Sequence, residues 1–333
     1  MSRAATALVS LADVENAHTR IRGAVRRTPL IPAPLPRPGG RAATDGPDAA
    51  LWLKCENLQC VSAFKARGAY HFVSRLSPRE RAAGLLTYSS GNHAQAVAWA
   101  ARAFGVPARI VMPVDAPDVK RAATIALGAE VEFEGTTSGE RQARAEQIQR
   151  EEGGTMVPPF DDPHIIAGQG TVALEIIEQL APREPGMVLA PIGGGGQMAG
   201  VAAVIRRRYP EAEVIGVEPE GAASMSRSIE HGEPVTLDRV SSVADGLKPV
   251  RPGDLTFAHC RDLVDRVVTV DDDSIRDAVR WLFGLRLVVE PSGAATVAAL
   301  LGGRVEPAVA GETVAILSGG NIEPALLAEW TCP

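Results

Sequence analysis

Helical and extended spacings of apolar residues alternate along this chain of 333 residues. Leu11, Val14, Ala17 and Ile21 share one face of a helix expected from about Ser10 to Gly23. Short apolar runs at 51–54, 85–88, 108–112, 130–133, 187–191, 214–218, 267–270 and 314–317 read as strands. Helix-period segments lie between them at 94–104, 118–127, 138–152, 171–180, 198–209 and 273–283, and Glu290-Pro291-Ser292-Gly293-Ala294 opens another helix. Strands alternating with helices in this way predict an α/β architecture whose parallel sheet is covered on both faces.

Local punctuation supports these limits. Ser77-Pro78-Arg79-Glu80 is a capping box with proline at the first helical position, and Gly84 is a fitting stop. Thr137-Ser138-Gly139-Glu140 opens the helix at 138–152 with a second capping box. Asp161-Asp162-Pro163 is expected to cap one helix, and Gly168-Gln169-Gly170 to precede a separate one at 171–180. Thr28 to Ile31 reads as extended, and residues 32–50, rich in proline and small side chains, as an exposed loop.

A chain that is 45% hydrophobic and 22% charged is long enough for two domains and a large core. Its net charge of -6 and pI near 5.6 leave no electrostatic footprint for nucleic acid or an anionic membrane surface. No apolar run approaches a bilayer span and no signal-peptide core opens the chain, so a cytoplasmic location is expected. Cys55, Cys60, Cys260 and Cys332 form neither CxxC pairs nor a disulfide framework and are expected as free thiols.

Candidate chemistry centres on Val61-Ser62-Ala63-Phe64-Lys65-Ala66-Arg67-Gly68, one lysine among small and apolar neighbours. Ser62 is placed to cap a helix, which sets Lys65 in the first turn, where the dipole disfavours an ammonium. Desolvation by Phe64 and the alanines acts in the same direction, towards the neutral amine that Schiff-base chemistry needs. Cys55 and Cys60 lie close enough in sequence to leave redox sensitivity open. Ser89-Ser90-Gly91-Asn92-His93, between a strand and a helix, offers N–H groups and hydroxyls to a carboxylate or phosphate. Gly193, Gly194, Gly195 and Gly196 sit in the equivalent place before the helix at 198–209. Their spacing departs from a dinucleotide fingerprint and suits a monophosphate cradle. Ser318-Gly319-Gly320-Asn321 ends the last strand, where ligands of open α/β sheets collect.

Taken together, these segments resemble the fold-type II pyridoxal-phosphate enzymes, in the branch of threonine dehydratases and serine racemases. The resemblance runs from about residue 10 to 325. It rests on Ser62-x-Phe64-Lys65-x-Arg67-Gly68-Ala69, Ser89 to Gln95, Pro159-Phe160-Asp161-Asp162-Pro163 with Ala167 to Thr171, the four glycines, and Ser318 to Asn321. It implies two open, twisted, mainly parallel sheets covered by helices, as in the tryptophan synthase β chain. Residues 1–84 and 158–333 would form the large cofactor domain, and 85–157 a small mobile domain on the substrate side.

By the same resemblance Lys65 is the Schiff-base lysine and α-proton base, Phe64 packs near the pyridine ring of pyridoxal 5'-phosphate, and Asn92 bonds its 3-oxygen. Gly193 to Gly196 hold the phosphate, and Ser318 faces the ring nitrogen. A hydroxyl there leaves the ring a weaker electron sink than a carboxylate would, which favours prompt loss of a β-hydroxyl. Ser89, Ser90, Gly91, Asn92 and His93 take the substrate carboxylate, with Arg141 as a further substrate-side residue. The implied reaction turns L-threonine, L-serine or a related β-hydroxy amino acid into a 2-oxo acid and ammonia.

Ser90 keeps an alternative open, because Lys65 and Ser90 on opposite faces would make an amino-acid racemase. A hydroxyaspartate-type dehydratase is also open. The racemases carry a divalent cation where Glu218, Ala222 and Ser224 stand here, with serine replacing the expected acid, so Mg, Ca or a monovalent ion would be held more weakly. Pro249 replaces a hydroxyl residue expected in racemases, which weighs against simple serine racemisation. A homodimer is expected, and no room for the C-terminal regulatory domain of biosynthetic dehydratases. A small-molecule sensor on the same fold is disfavoured by the retained Lys65, Asn92, glycines and Ser318.

Overall fold

Ser10 caps the first helix as the pattern requires, accepting from Asp13 N while Asp13 reaches back to the Ser10 N–H. The computed structural model describes residues 7–35, 51–89, 91–116 and 118–331. Among these, the strands are β1 (Leu30–Ala33), β2 (Leu51–Cys55), β3 (Leu85–Tyr88), β4 (Ala108–Met112), β5 (Glu130–Phe133), β6 (Thr155–Met156), β7 (Pro185–Pro191), β8 (Glu213–Pro219), β9 (Arg266–Val270) and β10 (Glu312–Leu317). The helices are α1 (Leu11–Ile21), α2 (Lys65–Arg75), α3 (Pro78–Ala82), α4 (Asn92–Phe104), α5 (Asp118–Ala126), α6 (Ser138–Glu152), α7 (Pro163–Leu180), α8 (Gly196–Arg208), α9 (Ser224–His231), α10 (Asp254–Leu263), α11 (Asp272–Gly284), α12 (Pro291–Leu301) and α13 (Pro324–Thr331).

The strands form two sheets. Six run in the order β1-β2-β10-β7-β8-β9, with β1 antiparallel to β2 and the other pairs parallel. Four run in the order β5-β4-β3-β6, all parallel. Alternate residues of each strand feed different cores, as a two-sided sheet demands. In β10, Val314 and Ile316 pack with α1, α7 and α8, whereas Ala315 and Leu317 pack with α11 and α12. In the smaller sheet, Ile110 and Met112 face α4 while Val111 faces Ala145 and Ile148 of α6.

Two local expectations are corrected. Gly168-Gln169-Gly170 does not separate two helices; it lies inside the continuous α7. A Cβ at Gly168 would come within 2.7 Å of the Gly68 Cα, and one at Gly170 within 2.7 Å of the Gly200 carbonyl. The glycines therefore let α2 and α8 press directly on α7, a packing reason that outweighs their helix-breaking tendency. Ser62 does not cap α2, because Val61 and Ser62 both adopt left-handed backbone, with φ of 52° each, and Phe64 is the residue before the helix. Tertiary bonds replace the cap: Phe64 N donates to Ser318 O, and Gly320 N to Ser62 O.

Three helices escaped the sequence pattern: α9, α10 and α13. Two of them take their caps from residues of other segments. Asp161 accepts from the N–H groups of Asp254, Leu255 and Thr256 at the start of α10, and Glu218 accepts from Met225 and Ser226 at the start of α9. It is Asp162 that caps α7.

Arg67, two residues after Lys65, is fully buried and satisfied by two carboxylates. It contacts both oxygens of Glu56 at 2.7 Å, and those of Glu175 at 2.7 and 2.9 Å. Lys54 completes the cluster at 2.6 Å from Glu175 and also donates to Thr28 O and Gln179. Two acids and two bases cancel, and the cluster ties β2, the following turn, α2 and α7 together. Replacing Arg67 with Met would strand two buried carboxylates, so Arg67→Met should destabilise the fold by about 3–5 kcal/mol in urea unfolding. A loss below about 1 kcal/mol would show that Glu56 and Glu175 find other partners.

Candidate active site

The carboxyl ends of β7, β8 and β10 lie side by side, and Asn321 after β10 donates to Asn92 after β3, so the two sheets meet at strand ends, where open α/β sheets gather ligands. Lys65 is the first residue of α2, and its Nζ donates to the carbonyl of Pro159 at 2.6 Å. Enclosure of the amine pushes its pKa down to about 8, since a protein interior disfavours the ammonium. The Phe64 ring lies 5.1 Å from the same nitrogen.

Pro159 also links this amine to the glycine loop. The next residue, Phe160, fills the space over Gly194 and Gly196: a Cβ at Gly194 would fall 2.2 Å from the ring. On the other side, a Cβ at Gly193 would lie 2.9 Å from Gly246 O. Gly195 takes a φ of 93° and is the N-cap residue before α8. No side chain fits on this loop, which leaves its backbone bare at a helix N-terminus. Gln197, on the first turn of α8, is buried with neither amide atom partnered among the described residues.

Ser318 is buried at the end of β10, and its carbonyl holds Phe64 N, so the strap 318–321 runs beside the residues before Lys65. Asn92 is fixed at both ends, donating to Glu290 Oε1 at 2.5 Å and accepting from Asn321 at 2.8 Å. Burial raises the Glu290 carboxyl to about 7, partly offset by Lys120. Ser89 Oγ accepts from Gly91 N. Ser90 lies outside the described residues. His93 is buried, pushed down to about 3 by that burial, and its Nε2 meets Val157 O at 3.1 Å. Its neutral ring braces the turn from below.

Arg141 is not a solvated helix residue. It is buried, with Nε and Nη1 unpartnered among the described residues, near Tyr88 and Asp115 at the carboxyl ends of β3 and β4. Burial lowers its pKa, but a guanidinium stays charged at any ordinary pH.

The cation candidates look different. Glu218 is buried and raised to about 7, and its oxygens already accept from Met225 N, Ser226 N and Ser226 Oγ. Ala222 is buried in the turn before α9, and Ser224 Oγ is buried without a partner among the described residues. One carboxylate committed to three donors, with neutral oxygens around it, does not fit a divalent cation. Cys55, Cys60 and Cys260 are free, and burial pushes the Cys55 thiol up to about 12, which removes it from redox chemistry; Cys332 lies outside the described residues.

A family model described as "Pyridoxal-phosphate dependent enzyme" matches residues 21–319. The chain belongs to this family. It is 41% identical to an L-threonine ammonia-lyase of Thermotoga maritima, over 88% of this chain and 71% of that protein. It is 38% identical to a serine racemase of Schizosaccharomyces pombe, over 86% of each. Its fold superposes on maize serine racemase with a TM-score of 0.88 at 35% identity, covering 97% of each chain. Of the longer biosynthetic threonine dehydratases the chain spans about half, as with 48% of the Haemophilus influenzae protein.

The site fits pyridoxal phosphate. An enclosed amine near neutrality can bond the aldehyde, a bare glycine loop at a helix start can seat the phosphate, and the unpartnered Gln197 amide offers further bonds there. Sequence reasoning did not single out Lys120; it met Asp245 only within Asp245-Gly246, which matches the family, and Glu290 only as the start of a helix, and gave none of the three a place in the site. Because only the neutral amine attacks an aldehyde, apoprotein should capture pyridoxal phosphate more slowly below pH 8, by about tenfold per unit. Stopped-flow absorbance checks this, and a rate flat from about pH 6 to 8 would mean the amine is already neutral throughout.

Proposed function

We propose that this enzyme is an ammonia-lyase acting on L-threonine, L-serine or a related β-hydroxy amino acid, releasing a 2-oxo acid and ammonia. The observation that carries this reading is the Lys65 amine, enclosed, brought near neutrality and held on Pro159 O beside the glycine loop. When bound, pyridoxal phosphate supplies the electron sink that acidifies the substrate α C–H. Lys65 then takes that proton, and Gly193 to Gly196 with the start of α8 hold the phosphate. Asn92, clamped by Glu290 and Asn321, presents its amide to the cofactor oxygen, and Ser318 gives the ring nitrogen a neutral partner. The turn at 89–93 seats the substrate carboxylate.

Arg141 supports a place for acidic substrates. Two unpartnered guanidinium nitrogens at the carboxyl edge of the small sheet would bind a second carboxylate, so hydroxyaspartate belongs in the substrate class. Racemisation is the second reading, favoured by the similarity to the Schizosaccharomyces pombe serine racemase; it would use Lys65 and Ser90 as two bases. We assign Glu218 to capping α9 rather than to holding a cation. Residues 85–157 are read as the body that closes over substrate, and the enzyme as a homodimer; among the described residues no helix is long and apolar enough to cross a membrane.

The test is to supply cofactor-loaded enzyme with L-serine, L-threonine and L-threo-3-hydroxyaspartate and to follow 2-oxo acid and D-enantiomer together. Oxo acid should appear first and be unaffected by EDTA. D-product running ahead of oxo acid would move the enzyme to the racemase reading. Lys65→Ala should abolish both products, whereas Ser90→Ala should remove only the D-enantiomer.

A further inference from the structure

Lys120 is buried although charged, and it has no part in the chemistry assigned to Lys65. It lies on α5, which packs against α4 and the four-stranded sheet, and its stem crosses the substrate turn. A Cβ built on Gly91 would lie 2.8 Å from the Lys120 Cδ and 3.3 Å from Nζ. Gly91 is thus the residue that lets the ammonium come down beside the turn. The ammonium pairs with Asp245, which belongs to a short 3-10 turn (Asp245–Leu247) packed on α12 and the glycine loop. Desolvation alone would lower its pKa, but Asp245 and Glu290 outweigh that and keep it raised, with Glu323 adding to them. A permanent cation therefore stands against the turn that seats an anion.

We propose that Lys120 is a positioning residue for the substrate α-carboxylate, shared between that carboxylate and Asp245. This rests on the reading of the 89–93 turn as the carboxylate seat. A carboxylate bound to the turn's N–H groups would sit within reach of Nζ and compete with Asp245 for it. Because Lys120 is on α5, beside the four-stranded sheet, and Asp245 is in a turn packed on α12 of the six-stranded side, the pair also draws α5 onto that side, so the seat is complete only when the two halves meet.

Glycine and glycinamide separate the charge from the amine, since both carry the reactive amino group and only glycine carries the carboxylate. With cofactor-loaded enzyme, each is titrated by the change in cofactor absorption. In Lys120→Met, glycine affinity should fall about tenfold or more while glycinamide affinity stays within about twofold, and Lys120→Arg should recover part of the loss. Equal loss for both ligands, or no loss for glycine, would overturn the proposal. Turnover is not needed for this readout, so an enzyme inactive on serine and threonine would sink the proposed activity without deciding the role of Lys120. If Lys120→Met does not fold, Asp245→Asn tests the other partner. Freed of its competitor, the ammonium should bind glycine several-fold more tightly, and unchanged or weaker binding would refute the sharing.

Discussion

The structure depends on a buried charge cluster two residues from Lys65. Arg67 could not lie fully enclosed without its two carboxylates, and Glu56 and Glu175 could not lie there without Arg67 and Lys54. Each charge is neutralised by geometry, with the guanidinium fork engaging both acids at hydrogen-bond distance. The four residues come from β2, the turn after it, α2 and α7, so their mutual satisfaction sets where α2 begins and how it lies on α7. Lys65 inherits its position from that. The glycine contacts of Gly68 with α7, and of Gly170 with Gly200 in α8, then bring the helices close enough for their N-termini to share one site.

Around Lys65, satisfaction of backbone groups takes over from charge. The strap at 318–321 supplies the bonds that a helix cap would have made, and the carbonyl of Pro159 receives the amine. Phe160 and the glycine loop occupy the remaining space. One short segment, Pro159 to Asp162, thereby touches the lysine, packs on the glycine loop proposed to seat the phosphate, caps α10 and caps α7. A helix dipole and a dry environment reinforce each other at Lys65, because both penalise a positive charge at that atom.

Much of the candidate site was legible before any fold was known. Lys65, Asn92, Gly193 to Gly196 and Ser318 stand out because chemistry demands those residue types at strand ends and helix starts. The structure brings their segments together through Pro159, Phe160 and Glu290. Lys120, Asp245 and Glu290 were not legible as one cluster, since nothing in a single buried lysine's neighbourhood of sequence says which acid it will meet across the cleft. Ser62 misled for a related reason. A serine three residues before a lysine is a plausible cap locally, but the left-handed backbone at Val61 and Ser62 is held by distant partners, among them Asn321 on Val61 O.

Sequence by itself determined the alternation of strand and helix, because two-sided apolar runs and local capping boxes are short-range patterns read within one turn or one strand. It also determined the residue types of the site. Tertiary structure alone decided where α9 and α10 begin, since Glu218 and Asp161 satisfy their N-termini from other elements, Asp161 from 93 residues away. It also decided that α7 runs unbroken through two glycines, and that Lys65 is desolvated enough to approach neutrality. Hydrogen-bond satisfaction and desolvation are properties of what surrounds an atom in space, and those surroundings exist only once distant segments have packed.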